Sequence, residues 1–184
     1  MLKRIFIALN PDQKTKRRLS KAQKNWPELP CKWVPEENLH LTLIFLGNRG
    51  EQELEKINNV IQELSQKMNS IKINLDKISY GPKKTNPPRL VWIQGKQNEQ
   101  FSKFKKNLEK ELIKEINFQP DKKNIPHITL GRIQKTEWRK LEIDQRPNIN
   151  LNFPIEFSIN SIDVMESILK RSGAEYTILK SFNL

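Results

Sequence analysis

Apolar residues along this 184-residue chain recur with two periods, one typical of helices and the other of strands. Residues 54–68 carry apolar side chains three and four positions apart, which predicts an amphipathic helix. Residues 71–80 begin with alternating apolar and polar positions, which predicts a half-buried strand. The same patterns predict further strands at 4–9, 40–47, 89–93, 126–133, 155–168 and 176–182. They predict further helices at 12–26, 101–112 and 137–141, and a loop at 146–153.

The order of these elements repeats along the chain. Three pairs of short segments match at offsets of 85, 87 and 86 residues (89 − 4, 127 − 40 and 159 − 73): Arg4-Ile5-Phe6 with Arg89-Leu90-Val91, His40-Leu41-Thr42-Leu43 with His127-Ile128-Thr129-Leu130, and Ile73-Asn74 with Ile159-Asn160. A nearly constant offset predicts an internal duplication, with repeats at about 1–86 and 87–184 in one two-lobed domain. Chance similarity between short apolar strands is the alternative for the outer pairs.

The central match contains both histidines of the protein, each followed two positions later by threonine. Side chains at positions i and i+2 of a strand share a face and lie about 6.6 Å apart. His40 therefore shares a face with Thr42, and His127 shares a face with Thr129. Two such strands related by a pseudo-twofold axis would bring two imidazoles and two hydroxyls to one cleft.

Two imidazoles and two hydroxyls suit an in-line displacement at phosphorus. One imidazole can take a proton from the attacking water while the other gives a proton to the leaving oxygen, since the unperturbed pKa of histidine is about 6.5. Threonine hydroxyls can donate hydrogen bonds to the non-bridging phosphoryl oxygens. A strained cyclic phosphodiester needs little more, so no metal is required. The alternative for each histidine taken singly is a structural residue held by hydrogen bonds.

Three other kinds of site fit the sequence less well. Zinc takes three or four nitrogen, sulfur or carboxylate ligands, and neither histidine has another ligand residue at a usual short spacing. Cys31 could form a nucleophilic pair with a histidine, but nothing in the sequence marks its thiol as activated. The six glycines do not form the loop of a nucleoside-triphosphate or dinucleotide site.

Composition narrows the choice of partner and compartment. The chain has 33 Lys and Arg against 21 Asp and Glu, a net charge of +12, which favours RNA or DNA as a partner ahead of an anionic membrane. A single cysteine excludes a disulfide framework within the chain and favours a reducing, intracellular compartment. The apolar stretches are far shorter than the roughly 20 residues of a membrane-spanning helix, and the N-terminus is typical of a first strand rather than a signal peptide.

Residues 33–47 and 125–132, which contain the two His-x-Thr pairs, resemble the two signature motifs of the 2H phosphoesterase superfamily. The resemblance is closest to the bacterial and archaeal RNA 2′,3′-cyclic phosphodiesterases, also called LigT-like or 2′-5′ RNA ligase proteins, and it covers nearly the whole chain. It implies an α+β fold of two lobes, each with an antiparallel sheet and helices, and an active site in the cleft between them. It also implies hydrolysis of RNA 2′,3′-cyclic phosphate ends to 2′-phosphomonoesters without a metal or nucleotide cofactor.

The resemblance implies one proton donor, one proton acceptor and three phosphate-binding residues: His40 (the donor, to the 3′-oxygen), His127 (the acceptor, from water), Thr42, Thr129 and Arg132. Strict alternation places Arg132 on the face opposite His127. Arg132 can then reach the phosphate only if the strand ends or bulges near Gly131, or if its long side chain curls around the edge.

Contacts to the rest of an RNA substrate stay open in the sequence. Three aromatic residues are candidates for stacking on a base or for filling the core: Trp33, Tyr80 and Trp92, of which Trp92 lies in an apolar strand that favours the core. Two basic segments can contact an RNA backbone or form solvated faces: Lys83-Lys84 with Arg89, and the helical residues 14–24.

Two other functions share these features. A ligase that joins a cyclic phosphate to a 5′-hydroxyl, on tRNA halves for example, would run the same chemistry in reverse. A non-catalytic RNA-binding module would keep its RNA affinity after loss of both histidines. We expect hydrolysis of cyclic phosphate ends by a cytoplasmic monomer, with RNA as its partner and no attachment to a membrane.

Overall fold

The computed structural model describes residues 1–82, 85–96, 98–120, 125–170 and 173–184, so Lys83 and Lys84 of the predicted basic loop lie outside the described residues. Within the described residues the chain forms nine strands and four α-helices. The strands are β1 (Lys3–Leu9), β2 (Cys31–Trp33), β3 (Leu41–Arg49), β4 (Ile71–Gly81), β5 (Leu90–Gln94), β6 (His127–Ile133), β7 (Asn150–Ile159), β8 (Ser161–Lys170) and β9 (Gly173–Asn183). The helices are α1 (Gln13–Gln23), α2 (Glu51–Ser65), α3 (Glu99–Glu115) and α4 (Lys135–Lys140), and a 3-10 turn (Glu36–Asn38) precedes β3.

Helices begin where a side chain satisfies the free backbone N–H groups of the first turn. The Asp12 carboxylate accepts from the backbone N–H of Thr15 at 2.6 Å and starts α1. The Asn98 side chain accepts from the N–H of Phe101 at 2.9 Å and starts α3. Among the helices in the described ranges, none is both long and apolar enough to cross a membrane.

The strands form an antiparallel sheet in the order β7-β4-β5-β6-β3-β1-β8-β9, and β2 also pairs with β6. The sheet divides between β3 and β6, where Leu41 and Ile128 are the one pair in register. One lobe contains β1, β3, β8 and β9, and the other contains β2 and β4 to β7. This arrangement confirms the predicted α+β fold with antiparallel strands.

The two faces of the sheet have different roles. Ile5, Ile7 and Leu9 of β1 belong to a core that also contains buried residues of α1, α2 and α3 from both lobes. The alternate β1 residues Phe6 and Ala8 belong to a small second cluster. Because successive strand residues face opposite ways, the main core lies on one face of the sheet and leaves the other face near β1 for a cleft.

The strand order is symmetric about the junction of β3 and β6, so β1 corresponds to β5, β4 to β8, and β7 to β9. The third predicted match, Ile73-Asn74 with Ile159-Asn160, is therefore wrong, because β4 and β7 are paired neighbours in one lobe, with Ile71 opposite Ile159. The duplication itself stays a prediction.

The strands differ from the sequence prediction in three larger respects. The predicted strand at 155–168 is two strands, β7 and β8, separated at Asn160. The predicted loop at 146–153 contains the first residues of β7, which is an edge strand and therefore tolerates Pro154. Strand β2 was not predicted, since three residues between Pro30 and Pro35 carry no periodic signal.

Candidate active site

The two His-x-Thr pairs meet where the lobes join. Leu41 and Ile128, the middle residues of the two pairs, are opposite each other in register and fully buried in the core. The residues that flank them face the other side of the sheet. The structure thus brings all five predicted site residues to one cavity of about 340 Å³, which is lined by His40, Thr42, His127, Thr129 and Arg132.

Both imidazoles are oriented by a carbonyl two residues upstream. Nδ1 of His40 donates to the carbonyl oxygen of Asn38 at 2.8 Å, and Nδ1 of His127 donates to that of Ile125 at 3.0 Å. With the proton on Nδ1, Nε2 is the atom available for proton transfer. Nε2 of His40 lies 3.0 Å from the hydroxyl of Thr42. Each histidine is therefore held in one tautomer and one ring orientation.

The surroundings of His40 disfavour its charged form. Burial lowers the pKa of His40 from 6.5 to about 4, and the hydrogen bond to Asn38 opposes this shift. The positive charges of Lys16 and Arg132, and His127, lower the pKa of His40 further. The His40 imidazole is therefore neutral at pH 7 when the cavity holds no anion.

A polar network lies behind His40. The Lys16 ammonium donates to the carbonyl oxygen of Glu37 at 3.0 Å and to Oδ1 of Asn10 at 3.2 Å. Nδ2 of Asn10 donates to the buried carboxylate of Asp163 at 2.7 Å, and the Ser181 hydroxyl also donates to that carboxylate. The network fixes the turn that presents a carbonyl to His40. Asn10 and Asp163 are 153 residues apart in the chain, and no signal in one sequence links them.

Arg132 reaches the cavity because β6 bulges. The pairing of β6 with β5 shifts by one residue between Thr129 and Gly131, so Leu130 is an extra residue in the strand. Leu130 and Gly131 are both buried, and Arg132 lines the cavity beside Thr129. A Cβ atom at Gly131 would lie 2.3 Å from the sulfur of Cys31, which explains why glycine occupies this position.

Strand β3 bulges at the matching position. Its pairing with β1 shifts between Thr42 and Ile44, so Leu43 is the extra residue. The shift turns Phe45 toward the cavity. Phe45 follows His40 by five residues, just as Arg132 follows His127 by five residues. The two lobes therefore present different chemistry from equivalent positions, an exposed aromatic ring in one and a guanidinium in the other.

None of the three aromatic residues considered from the sequence lines the cavity. Trp33 packs against the main core, and the Tyr80 hydroxyl donates to the carbonyl oxygen of Pro147 at 2.6 Å. Trp92 is 8% exposed, which confirms the core interpretation, and its ring centroid lies 4.8 Å from that of His127. Trp92 thus supports the His127 ring from the side.

Sequence reasoning missed several residues of the cavity wall: Arg4, Phe6, Phe45, Leu169 and Tyr176. The Tyr176 ring centroid lies 5.0 Å from that of His40 and 5.2 Å from that of Phe6. Alternation along β1 could have placed Arg4 and Phe6 on one face. Tyr176 had no such signal, because only the packing of β9 beside β8 brings it to His40.

Comparison with known proteins gives the family. The family described as LigT like Phosphoesterase matches residues 9–92. A protein of Thermus thermophilus named RNA 2′,3′-cyclic phosphodiesterase is 31% identical over 188 residues, which cover 98% of this chain and 90% of that protein. The chain belongs to the LigT-like phosphoesterase family. Another relative of this phosphoesterase, with the same name and from Methanothermobacter thermautotrophicus, is 29% identical over 98% of both chains. A crystal structure of a Thermus thermophilus protein matches the phosphoesterase with a TM-score of 0.80 and 27% identity, over 98% of this chain and 97% of that one.

Cys31 and the metal-ligating side chains do not form a second site among the described residues. Burial raises the pKa of the Cys31 thiol to about 12, so the thiol is protonated at pH 7. Within the described part of the phosphoesterase, no three His, Cys, Asp or Glu side chains lie close enough together to hold a metal ion.

Proposed function

We propose that this phosphoesterase hydrolyses 2′,3′-cyclic phosphate ends of RNA to 2′-phosphomonoesters, by two-histidine acid–base catalysis without a metal ion. The observation that carries the proposal is the pair of imidazoles that face one cavity from neighbouring strands. In each imidazole, Nδ1 donates a hydrogen bond to a backbone carbonyl oxygen. The relatives named RNA 2′,3′-cyclic phosphodiesterase support the choice of substrate. The net charge of +12 suits a polyanion.

The reaction needs two proton transfers, one to His127 and one from His40. His127 accepts a proton from water as the water oxygen attacks phosphorus. The bond from phosphorus to the 3′-oxygen breaks, and His40 donates its Nε2 proton to that oxygen, so the phosphate stays on the 2′-oxygen. Charge on the non-bridging oxygens is stabilised by three side chains that line the same cavity: Thr42, Thr129 and Arg132.

Binding of the anionic substrate favours the protonation of His40. The pKa of His40 is about 4 in the protein alone, so the donor form is scarce at pH 7. A negative charge within about 4–6 Å favours the charged form of such a group and raises its pKa. A bound phosphodiester anion therefore brings His40 toward its protonated form where the leaving oxygen needs it.

Variants of the two histidines test the proposal. We expect His40→Ala and His127→Ala each to lower turnover of an oligonucleotide with a 2′,3′-cyclic phosphate end by about 10²-fold or more. We expect Thr42→Ala to weaken turnover, while Thr136→Ala, at an exposed position of α4 outside the cavity, leaves it unchanged.

The assay includes excess chelator and maps which oxygen keeps the phosphate. Unchanged turnover in chelator and a 2′-phosphate product are expected. Normal turnover in either histidine variant, with folding checked by circular dichroism, would contradict the two-histidine mechanism. A 3′-phosphate product would contradict the assignment of the leaving oxygen.

A further inference from the structure

Lys32 lies on the cavity face of the sheet, next to Arg132. It is the middle residue of β2 and is directly opposite Arg132 in the pairing with β6. Directly opposite residues of antiparallel strands have side chains on the same face, with Cβ atoms about 4.5–5.5 Å apart. Because Arg132 lines the cavity, the exposed Lys32 side chain projects from the same face.

The other lobe reaches Lys32 through the end of the β8–β9 hairpin. A Cβ atom at Gly173 would lie 3.1 Å from the ammonium nitrogen of Lys32 and 3.3 Å from its Cε. Because glycine has no side chain, the Lys32 ammonium can occupy the space next to Gly173. Leu169 and Ala174, paired near the same end of the hairpin, line the cavity. The Lys32 ammonium thus lies at the mouth of the cavity, where the two lobes approach each other.

Among the residues that the structure describes, no acidic side chain balances the charges at this mouth. Like charges directly opposite each other destabilise a sheet. Lys32 and Arg132 nevertheless face each other, and neither forms an ion pair with any residue that the structure describes. Arg4 adds a third cation to the cavity. Among the described residues, the lining of the cavity contains no Asp or Glu. An anionic ligand would compensate this arrangement.

We propose that Lys32 binds the phosphodiester that precedes the cyclic-phosphate nucleotide in an RNA chain. The inference rests on the proposed function, because it takes the reacting phosphate to lie between His40 and His127. A 2′,3′-cyclic phosphate is at the 3′ end of its strand, so its one neighbouring phosphate is the 5′ phosphodiester of the same nucleotide. A lysine ammonium suits such a contact as a compact point charge. The protein therefore takes chain ends in preference to cyclic mononucleotides.

Kinetics on two substrates test the subsite. The substrates are 2′,3′-cyclic UMP, which has no preceding phosphodiester, and the uridine dinucleotide with a 2′,3′-cyclic phosphate end. We expect Lys32→Met to raise KM for the dinucleotide about tenfold, and to leave kcat and the KM for cyclic UMP unchanged. The slope of log KM against log salt for the dinucleotide should fall by about one in Lys32→Met. Lys32→Arg, which keeps the charge, should retain the low KM.

Lys72→Met is the matched control, since Lys72 is an exposed strand lysine outside the cavity lining. We expect it to behave as the wild type on both substrates. An equal loss on both substrates in Lys32→Met, or no change on either, would overturn the subsite.

A binding measurement separates this inference from the proposed function. Fluorescence anisotropy of a labelled uridine dinucleotide with a 2′-phosphate end needs no turnover, and Lys32→Met should weaken its binding about tenfold. A wild type that hydrolyses neither substrate would contradict the proposed function alone. An unchanged dissociation constant in Lys32→Met would overturn the subsite, whatever the catalytic result.

Discussion

Acid should destabilise this protein in part through His40. Burial lowers its pKa from 6.5 to about 4, with a smaller contribution from the cation of Lys16. In the unfolded chain both causes are absent, so the pKa returns to about 6.5. Between these two values the unfolded chain binds a proton that the native protein does not, and the free energy of unfolding therefore falls as the pH falls.

The size of the effect follows from the two pKa values. At pH 4.5 about 99% of unfolded His40 imidazoles and about 24% of native ones carry a proton. The corresponding loss of unfolding free energy between pH 7 and pH 4.5 is about 2 kcal/mol. Because the imidazole faces an open cavity, this value is an upper bound.

Urea denaturation of the wild type and His40→Gln at the two pH values measures this loss. Glutamine is polar but has no titratable group. We expect the wild type to lose about 2 kcal/mol more than the variant on going from pH 7 to pH 4.5.

A proton NMR titration gives the same quantity directly. The chain has two histidines, so the spectrum contains two imidazole Hε1 signals, and the one missing in His40→Gln belongs to His40. That signal should titrate near pH 4. A His40 signal that titrates at its ordinary value, or equal acid losses in the two proteins, would refute the reasoning from burial.

Two more changes have definite expected results. Lys16→Met removes a positive charge that lowers the pKa of His40, so the His40 signal should titrate at higher pH. Lys14→Met, at an exposed position of the same helix, is the control and should leave the titration of the His40 signal unchanged. No movement in Lys16→Met would show that this charge does not reach the imidazole. Gly131→Ala places a methyl group 2.3 Å from the sulfur of Cys31. This variant should lower the free energy of unfolding, measured in urea, by about 1–3 kcal/mol. An unchanged urea midpoint would mean that β2 moves aside freely.

Local patterns predicted most elements of the fold. The helix expected at 54–68 is α2, which lies at Glu51–Ser65 and buries Ile57, Ile61 and Leu64. This agreement has a local cause, since a helix makes its hydrogen bonds within one segment and its apolar stripe can be recognised from spacing alone.

The missed strands depended on partners elsewhere in the chain. Cys31–Trp33 is a strand because β6 pairs with it, and its three residues have no periodic signal of their own. Asn150 to Phe153 were expected to form a loop, but they extend the edge strand beside β4. An edge strand needs hydrogen bonds on one side only, so it accepts a sequence that reads as irregular.

The sequence by itself determined the chemistry of the candidate site, because alternation along a strand places His40 with Thr42 and His127 with Thr129 whatever the rest of the fold does. The tertiary structure decided what surrounds them. Bulges in β3 and β6 turn Phe45 toward the cavity as well as Arg132, and they exist only in the register between strands that are distant in the chain. The low pKa of His40 and the place of Lys32 beside Arg132 have the same origin, since burial and cross-strand pairing arise only when the lobes pack.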